Sequence, residues 1–516
     1  MRRVLAIVPI ALIASGAYAL PPSPAPQVEL YISGATAQDE ALENLMRLKP
    51  GIPGATNICE PGTLDIYRGK IDGTAKRVFY CRTASNVLGL PPGQRLAVHK
   101  SSGGSGEGVT PVSAGQPVPY IDLAMLPAAP ECKEGKDERA TEDFMAYRNH
   151  TACDGGGRPV VPRAGISDVE PALLGGISQP LTVRPQNQLV WGLPVTKNLR
   201  NALQAAQGLV RNIVPHDDPS RDTEAVMPSL SRAQVAGLFA GTIKSWDQFY
   251  DSSGAGLTRS PLLAPGPPAN PDASGATPGA YRPDRKLGST VYVCRRIETS
   301  GTQASYEVHY LRHRCVKDSP PFLAPNDGSD LKNGGDVNKL VRIASPAGNV
   351  YAGTGTGDVR DCLDAHEQFN RWAIGILSTE NVGNNGNREF RYLKVDGAAP
   401  TLLNARNGRW THVSEQSIQW RKSFDSQLDK TSEGKVLVFV ATNMGLPRVI
   451  RALNSGFVHP WGDGGYLAPS TLSAEALKPP ITAELLRDNP IAGITRSLHG
   501  LNNCSEPVVV GASALQ

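Results

Sequence analysis

The chain of 516 residues lacks a hydrophobic run long enough to cross a membrane. After its first residues no stretch approaches the roughly 18 uninterrupted apolar residues that a transmembrane helix needs. It also lacks a run of Lys and Arg, and its formal net charge of +4 is small for its length. We therefore expect neither stable membrane insertion nor a nucleic-acid partner.

Several signatures of catalysis are missing as well. No Cys-x-x-Cys is present, which argues against a thioredoxin-like redox site and a Cys-rich zinc site. The stretch 101–108, SSGGSGEG, has neither the Lys of a Walker A loop nor the spacing of a dinucleotide fingerprint. No Gly-x-Ser-x-Gly elbow appears. We expect a protein that is not an enzyme and uses no cofactor, the alternative being a phosphatase with a Ser or Asp nucleophile.

Two groups of residues have a spacing that could hold a metal ion. His309 and His313 lie four residues apart on a predicted helix, without the Glu of H-E-x-x-H or an obvious third ligand. Asp327, Asp330 and Asp336 lie in a Gly-rich loop that no Glu closes into a calcium loop. We expect surface or half-buried histidines and a solvated turn rather than metal sites.

The first residues have the pattern of an export signal. Arg2 and Arg3 precede an apolar run over 4–14, which ends in the small-residue site Ala17-Tyr18-Ala19. Residues 1–19 are therefore expected to be a signal peptide. Since the first Cys is Cys59, far from that site, a lipid anchor is not expected. We expect a periplasmic or secreted protein.

The eight cysteines are an even number, which in an oxidising compartment predicts four disulfides. Eight cysteines allow about 105 pairings, among which the sequence cannot choose. Local spacing suggests three pairs and elimination gives the fourth: Cys59–Cys81, Cys132–Cys153, Cys294–Cys315 and Cys362–Cys504.

The pattern of apolar residues predicts strand, turn and helix twice. Residues 28–32 alternate like a strand and lead through Ser33-Gly34-Ala35-Thr36 into a helical pattern over 37–47. Residues 291–294 form a second predicted strand, followed by a turn and a helix over 303–312. The β-branched run 435–441 is typical of a buried strand. A chain of 516 residues is longer than one hydrophobic core usually organises. We therefore expect an α/β protein of two lobes whose turns face a common region.

The turn after the second of these strands has the composition of an anion site. A helix start offers unpaired N–H groups and partial positive charge. Ser300 and Thr302 add hydroxyls, Gly301 allows close approach of the backbone, and Arg296 can supply a charge-assisted hydrogen bond. Ala35 and Thr36 in the first turn offer similar donors. Ordinary helix caps remain the alternative for both turns.

Two further turns complete the set. The segment 101–108 is rich in hydroxyls and Gly, and Gly165-Ile166-Ser167-Asp168 ends an apolar approach with a carboxylate. A carboxylate suits an anion that carries a proton, because hydrogen phosphate can donate a hydrogen bond whereas sulfate cannot. Asp168 could therefore select phosphate, although a loop or cap Asp is the simpler reading. A plain flexible loop is the alternative for 101–108.

The order of these four turns resembles the phosphate-binding proteins of ABC transporters, which have the type II periplasmic binding protein fold. That family has a turn like SGAT, a Ser/Gly turn, a G-x-S-D strand end and an R-x-D-G-S-G-T turn. The matching stretches here are 33–36, 101–108, 165–168 and 296–302. The stretch 238–246, LFAGTIKSW, resembles the family's F-G-x-I-x-x-W, and 373–376, AIGI, resembles its G-A-I-G-Y strand. Glu298 and Thr299 depart from the family's Asp and Gly.

The resemblance implies a two-lobed α/β fold with a ligand cleft between the lobes. It implies lobe one over 20–185 and 388–516, with an insertion at 110–163, and lobe two over 186–387, with an insertion at 257–285. It also implies inorganic phosphate or a similar oxyanion as ligand and an ABC permease as partner. A secreted or surface protein of this fold with another ligand and no transport role is the alternative. Ser102 or Ser105 could be the ligand in the second turn, and the implied site residues are Ala35, Thr36, Ser105, Asp168, Arg296, Ser300, Gly301 and Thr302.

Overall fold

The computed structural model describes residues 25–51, 56–85, 87–126, 132–154, 156–210, 214–215, 217–263, 289–325, 349–383, 388–469, 481–497 and 500–510. The predicted signal peptide, most of the insertion 257–285 and the loop with Asp327, Asp330 and Asp336 lie outside the described residues. Those interpretations stay expectations.

The strands of the described residues are mostly short, and one of them, β10, is 16 residues long. In chain order they are β1 Val28–Gly34, β2 Asp65–Ile71, β3 Thr74–Arg82, β4 Arg95–Ser101, β5 Val118–Ile121, β6 Lys133–Glu138, β7 Tyr147–Thr151, β8 Gly157–Val160, β9 Ala164–Ser167, β10 Leu181–Thr196, β11 Ser229–Leu230, β12 Tyr292–Arg296, β13 Val350–Gly353, β14 Ala373–Gly375, β15 Leu377–Ser378, β16 Phe390–Val395, β17 Val413–Arg421, β18 Val458–His459, β19 Gly462–Asp463, β20 Tyr466–Leu467, β21 Ile494–Thr495 and β22 Val508–Val509.

The helices lie between and after these strands. They are α1 Asp39–Met46, α2 Thr110–Ala114, α3 Lys197–Ala206, α4 Arg232–Ala240, α5 Gly301–Tyr306, α6 Thr356–Gln368, α7 Leu402–Arg406, α8 Ser432–Asn443, α9 Pro447–Asn454 and α10 Ala483–Asp488. A π-helix over Glu307–Leu311 follows α5 without a break.

A sheet of sixteen strands organises the chain, and β10 belongs to both of its parts. The first half of β10 pairs with β17, which continues through β9, β1, β4, β3, β2 and β7 to β6. We call this part the first lobe. The second half of β10 pairs with β14 and β16, and β14 leads on to β12 and β13, which we call the second lobe. The predicted α/β class with two lobes is confirmed. The boundaries at residues 185 and 388 stay predictions.

The core is continuous through both lobes. Ile32 of β1, Trp191 and Val195 of β10 and Val293 of β12 are all exposed by 1% or less and belong to one apolar cluster. Burying each such side chain stabilises the fold by about 1.5–3 kcal/mol. The shared core holds the strand ends of the two lobes next to each other, where the predicted turns lie.

Helix α4 begins with a reciprocal cap. The Ser231 hydroxyl accepts a hydrogen bond from the Gln234 amide at 3.1 Å, and the Gln234 side chain accepts one from the Ser231 amide at 2.8 Å. Such a cap satisfies two backbone donors that have no partner inside the helix.

The strand predicted over residues 435–441 is wrong, because this run lies in α8. Thr431 caps the helix by accepting a hydrogen bond from the Gly434 amide at 3.0 Å. Val436, Leu437, Phe439 and Val440 are buried, a spacing that places them on one helical face. Burial of that face outweighs the β preference of the valines.

Two of the four predicted disulfides are confirmed and two are wrong. Cys59–Cys81 and Cys132–Cys153 form as predicted. The others join Cys294 to Cys362 across 68 residues and Cys315 to Cys504 across 189 residues. Helix α6 packs on β12, so Cys362 faces Cys294. Cys315 follows the π-helix and meets the C-terminal segment instead, a long-range contact that local spacing cannot indicate.

No single described helix has the length and apolar composition for a membrane span. Helices α8 and α9 meet the criterion only as a pair bent by 65°.

Candidate functional site

Three of the four predicted turns lie at one edge of the first lobe. Strand β1 is parallel to both β4 and β9, with Ser33 in register with Ser101 and with Gly165. The carboxyl ends of parallel neighbours meet at the same edge of a sheet, which is where such folds place ligands. The turns after β1, β4 and β9 are therefore adjacent.

Glycines allow these three turns to pack against one another. Gly34 has φ +116°, and a Cβ there would lie 2.0 Å from the Ile166 carbonyl oxygen. A Cβ on Gly165 would lie 1.7 Å from the Gly108 oxygen. The Ala35 amide donates to the Ile166 carbonyl at 2.9 Å, so this predicted donor already has a backbone partner.

The fourth turn comes from the second lobe and touches the first. The Gly106 amide donates to the Thr299 carbonyl at 3.1 Å. A Cβ on Gly301 would lie 2.3 Å from the Ser105 hydroxyl oxygen and 2.8 Å from Cβ of Asp168. Only glycine therefore fits at the first residue of α5. This contact brings Ser105, Asp168 and Gly301 together in a region between the lobes, which we call the cleft.

Asp168 is at the centre of the cleft and is 6% exposed. Its amide donates to the Ser105 hydroxyl at 3.0 Å, and the Gln416 side chain donates to its carboxylate at 2.8 Å. Burial raises the pKa of Asp168 above the usual 3.8, against the opposing effects of Gln416, Arg296 and Ser105. A carboxylate held in this way can accept a hydrogen bond from a protonated ligand.

Arg296 is the buried cation on the opposite side. It is 4% exposed, and its guanidinium donates to the carbonyls of Gly353 and Thr354 at 3.3 and 2.6 Å. Burial lowers the pKa of Arg296, while the charges of Asp168 and Asp358 raise it. The end of β13 thus fixes the position of a guanidinium that interacts electrostatically with Asp168.

The other predicted donors differ in their environment. Ser300 caps α5 through a hydroxyl that accepts from the Gln303 amide at 3.5 Å. The amides of Gly301 and Thr302 are the first of the helix and have no intrahelical acceptor. Thr302 is 7% exposed, whereas Thr36 is exposed at the start of a short 3-10 helix. Among the described residues neither threonine hydroxyl has a hydrogen-bond partner.

The structure separates Ser102 from Ser105. The Ser102 hydroxyl donates to the Asp39 carboxylate at 2.6 Å. Ser105 instead contacts both Asp168 and Gly301. This geometry favours Ser105 as the ligand group of the second turn.

Lys100 contributes to the site and was not identified in the sequence. Its ammonium, fully buried, donates to the carbonyls of Gly34, Ala35 and Ser101 at 3.0, 3.2 and 2.9 Å and pairs with Asp39 at 3.1 Å. It holds the first turn in place and adds positive charge near Asp168. A Lys immediately before the turn 101–108 is the signal that could have revealed it.

Glu380 is a second carboxyl group near Asp168. It accepts hydrogen bonds from the Ser378 hydroxyl at 3.0 Å and from the Tyr466 hydroxyl. Burial, with the charges of Asp168 and Glu40, raises the pKa of Glu380 to about 8. A carboxyl group shortly after the stretch 373–376 was the available signal. Gln416, by contrast, gave none.

The predicted histidine pair does not form a shared site. The His309 ring stacks on His412 with centroids 4.3 Å apart, while His313 lies 3.4 Å from the Ser319 carbonyl oxygen. Within the described residues, one group has metal-ligand spacing, and it consists of Cys294, Cys362 and His366. Because the two cysteines form a disulfide, only one ligand is left, too few for zinc.

Two hollows lie away from the cleft. A groove of about 660 Å³ between α1, α9 and α10 is lined by both charged and apolar residues, among them Arg47, Asp143 and Phe457. A smaller cavity of about 30 Å³ lies beside the π-helix. We call it the rear cavity and define it by Arg232, His309, Arg312, His412, Arg496 and Glu506.

Solved structures with a similar fold include three phosphate transport proteins. One, from Clostridium perfringens, is described as a phosphate ABC transporter substrate-binding protein with bound phosphate; identity is 12%, coverage 82% of this chain and 97% of that chain, and the TM-score 0.37. PstS from Borrelia burgdorferi is 10% identical, and the match covers 83% of this chain and 97% of that chain with a TM-score of 0.32. An ABC-type phosphate transport receptor from Vibrio cholerae is 15% identical, with 55% and 79% coverage and a TM-score of 0.27.

No protein-family model and no curated protein matches the chain. At these identities and TM-scores the structural likeness does not decide a ligand. The function must therefore be sought in the chemistry of the cleft itself.

Proposed function

We propose that this protein is an exported binding protein that holds an inorganic oxyanion, phosphate first, in the cleft and delivers it to an ABC permease. The observation behind the proposal is the meeting of Ser105, Asp168 and Gly301 at one point between the lobes. The free amides at the start of α5 and the guanidinium of Arg296 supply donors to the ligand's oxygens. No covalent step is part of the proposed function.

Specificity for phosphate follows from placing Asp168 among these donors. Hydrogen phosphate can donate its proton to the carboxylate, whereas sulfate has no proton to give and would be repelled. Burial strengthens this selection, because a buried hydrogen-bonding group that is left without a partner destabilises the complex by about 1–3 kcal/mol or more. Thr36, Ser300 and Thr302 would complete the ligand's hydrogen bonds, and Ala35 would contribute by positioning the first turn.

A second candidate function is a secreted binding protein of the same fold that takes no part in transport. The Cys315–Cys504 disulfide favours it, because the bridge connects the second lobe to a C-terminal segment attached to the first. Asn503, beside Cys504, donates to the Glu170 carboxylate through its amide at 2.9 Å. Arg314 donates to the Leu173 carbonyl at 2.7 Å. These contacts limit the separation of the two lobes, and the ligand can be released to a permease only when the lobes separate.

Titration calorimetry tests the proposal on protein freed of ligand by partial unfolding and refolding. We expect phosphate to bind at neutral pH and sulfate to give no heat. Arg296→Gln should weaken phosphate binding about ten- to hundredfold, because it removes a charge-assisted hydrogen bond of about 1.5–3 kcal/mol. Asp168→Asn should weaken phosphate and admit sulfate.

The two serines of the second turn form a matched pair of variants. Ser105→Ala should weaken phosphate binding, whereas Ser102→Ala, whose hydroxyl bonds to Asp39, should not. Equal effects of the two variants, or an absence of heat with phosphate, would reject the phosphate site. Uptake of phosphate by cells that carry or lack the gene separates the transport role from the second candidate.

A further inference from the structure

The rear cavity contains more positive charge than its carboxylates balance. Three arginines line it, and Arg312 alone of them pairs with a lining carboxylate, Glu506, at 3.3 Å on the exposed side. Within the described parts of the chain no ion pair joins Arg232 or Arg496 to a carboxylate. Arg496 is 8% exposed, so its charge is also poorly screened by water.

The guanidinium groups retain donors that can reach a ligand. Arg496 donates to the carbonyls of Val413, Thr411 and Ser505 at 2.7, 3.0 and 3.0 Å. Arg232 donates to the carbonyl of His309. A guanidinium has five N–H donors, so both groups have further donors available. The carbonyls fix the position of the two cations without neutralising them.

A buried ring nitrogen without a partner also belongs to this cavity. His412 is 2% exposed, and its Nε2 lies 3.2 Å from the Ser305 hydroxyl, while its Nδ1 has no hydrogen-bond partner. Buried polar atoms are nearly always satisfied, so an orphan in a charged cavity indicates a missing partner. Burial, together with the charge of Arg496 and Arg232, lowers the pKa of His412 well below 6.5.

The dimensions of the cavity restrict what can enter it. Its volume of about 30 Å³ holds one or two groups of the size of water. A halide ion is of that size, whereas phosphate with its four oxygens is larger. Glu415 does not line the cavity; its Oε1 accepts hydrogen bonds from Thr495 at 2.6 Å and from the Arg496 amide at 2.8 Å, and its charge acts on Arg496 from outside the lining, as that of Glu170 does.

We propose that the rear cavity is a second anion site, which takes one halide ion between Arg232, Arg496 and the His412 ring. The ion joins α4 and the π-helix of the second lobe to β17 and the C-terminal segment. It therefore stabilises the same junction that the Cys315–Cys504 disulfide closes covalently. This site is independent of the phosphate proposed for the cleft.

Halide binding and protonation should favour each other. The charged and titratable groups that line the cavity are Arg232, Arg312, Arg496, His309, His412 and Glu506, and the carboxylates of Glu415 and Glu170 act on Arg496 from outside the lining. The two histidines are neutral near pH 7 because burial and the arginines lower their pKa. A bound anion stabilises the protonated rings, so binding should strengthen once the pH falls far enough below 6.5 for a ring to take up a proton.

The test compares sodium chloride with sodium gluconate at equal ionic strength by thermal unfolding of the full chain. Chloride should raise the unfolding temperature in proportion to the logarithm of its concentration, and gluconate, too large for the cavity, should not. Arg232→Gln should weaken the chloride response about tenfold or more. Arg487→Gln, which removes an exposed arginine paired with Asp463, is the matched control and should keep the response.

A second measurement does not depend on a variant. Crystals soaked in sodium bromide should give an anomalous peak between Arg232 and His412. Asp168→Asn should abolish phosphate selection and keep the chloride response, so failure of the cleft proposal and failure of this one are distinguishable. Equal stabilisation by chloride and gluconate, or no bromide peak in the cavity, would overturn the halide site.

Discussion

The cleft and the rear cavity lie at opposite ends of the same helical segment, α5 with its π-helix, and both hold buried arginine. They differ in the groups that face the arginine. In the cleft these are the carboxylates of Asp168 and Asp358, whereas the rear cavity has two stacked neutral histidines and the single carboxylate of Glu506, which is paired with Arg312. The difference is one of hydrogen-bond chemistry more than of net charge.

The comparison explains how one fold can discriminate among anions in one place and not in another. A carboxylate placed among hydrogen-bond donors favours a ligand that can itself donate a hydrogen bond through a proton. In the rear cavity the Glu506 carboxylate is already paired with Arg312, and the histidines and remaining arginines accept any anion that fits, so size becomes the selecting property. The cleft should therefore select anions that carry a proton, and the rear cavity should select anions by their size.

The largest expected effect comes from cutting the disulfide that borders the rear cavity. Cys315→Ser with Cys504→Ser opens a loop of 189 residues, and Cys132→Ser with Cys153→Ser opens one of 21 residues. The first pair of substitutions should lower the free energy of unfolding in urea by about 2 kcal/mol more than the second, because loop-closure entropy grows with length. It should also abolish the chloride response and preserve phosphate binding. Equal losses from the two pairs would contradict this separation of the sites.

Gly301→Ala should break the cleft and leave the rear cavity intact. The new Cβ would meet Ser105 and Asp168 at distances that require movement, at a cost of about 1–3 kcal/mol. Phosphate affinity should fall about ten- to hundredfold in calorimetry. Gly456→Ala is the control, since a Cβ there would meet nothing within 4 Å. Unchanged affinity of the Gly301 variant would place the ligand elsewhere.

Phosphate affinity of the cleft should fall in alkaline solution. Glu380 has a pKa of about 8, so above that pH a second negative charge forms beside Asp168. Phosphate affinity should then fall by up to about tenfold per pH unit. Glu380→Gln should remove this fall. Glu367→Gln is the matched control, because the pKa of Glu367 is also about 8 but its carboxylate bonds to the Asn198 amide. The interpretation fails if both variants flatten the profile.

The last prediction concerns a neutral histidine outside both sites. Burial, with Arg371, lowers the pKa of His366 to about 3, and neither ring nitrogen has a hydrogen-bond partner. The folded state binds this proton less readily than the unfolded state. Stability should therefore be lost as the pH falls below 6.5, by up to about 1.4 kcal/mol per pH unit. His366→Phe should reduce that slope in urea unfolding between pH 6 and 4, without altering either ligand response. An unchanged slope would show that this ring is solvated.

The sequence predicted the cleft better than its surroundings. Turns at the carboxyl ends of parallel strands lie at one edge of a sheet, and the resemblance of the four turns, in their order, to those of a known family is what grouped Ser105, Asp168, Arg296 and Gly301. Whether Lys100 and Glu380 belong to the site depends on which side chains at a strand end are buried, and the local sequence pattern does not specify this. Gln416 lies on β17, far along the chain, and only the sheet pairing brings it to Asp168.

Other features were beyond local patterns for a physical reason. Residues 435–441 have the side chains of a strand, but their burial against β1 requires a helix. The rear cavity combines residues from 232 to 506, and no motif joins them. His309 was weighed as a metal ligand with His313, whereas its partner is His412, about a hundred residues away.

The connectivity of the last two disulfides has a consequence for biogenesis. In chain order the cysteines are 294, 315, 362 and 504, and the native bridges interleave, 294 with 362 and 315 with 504. If the protein is exported as proposed, an oxidase that joins these four thiols in the order in which they leave the translocation channel would first link Cys294 to Cys315. That bridge is not native, so maturation should require a disulfide isomerase. The yield of active protein should accordingly depend on that catalyst more than on the oxidase alone.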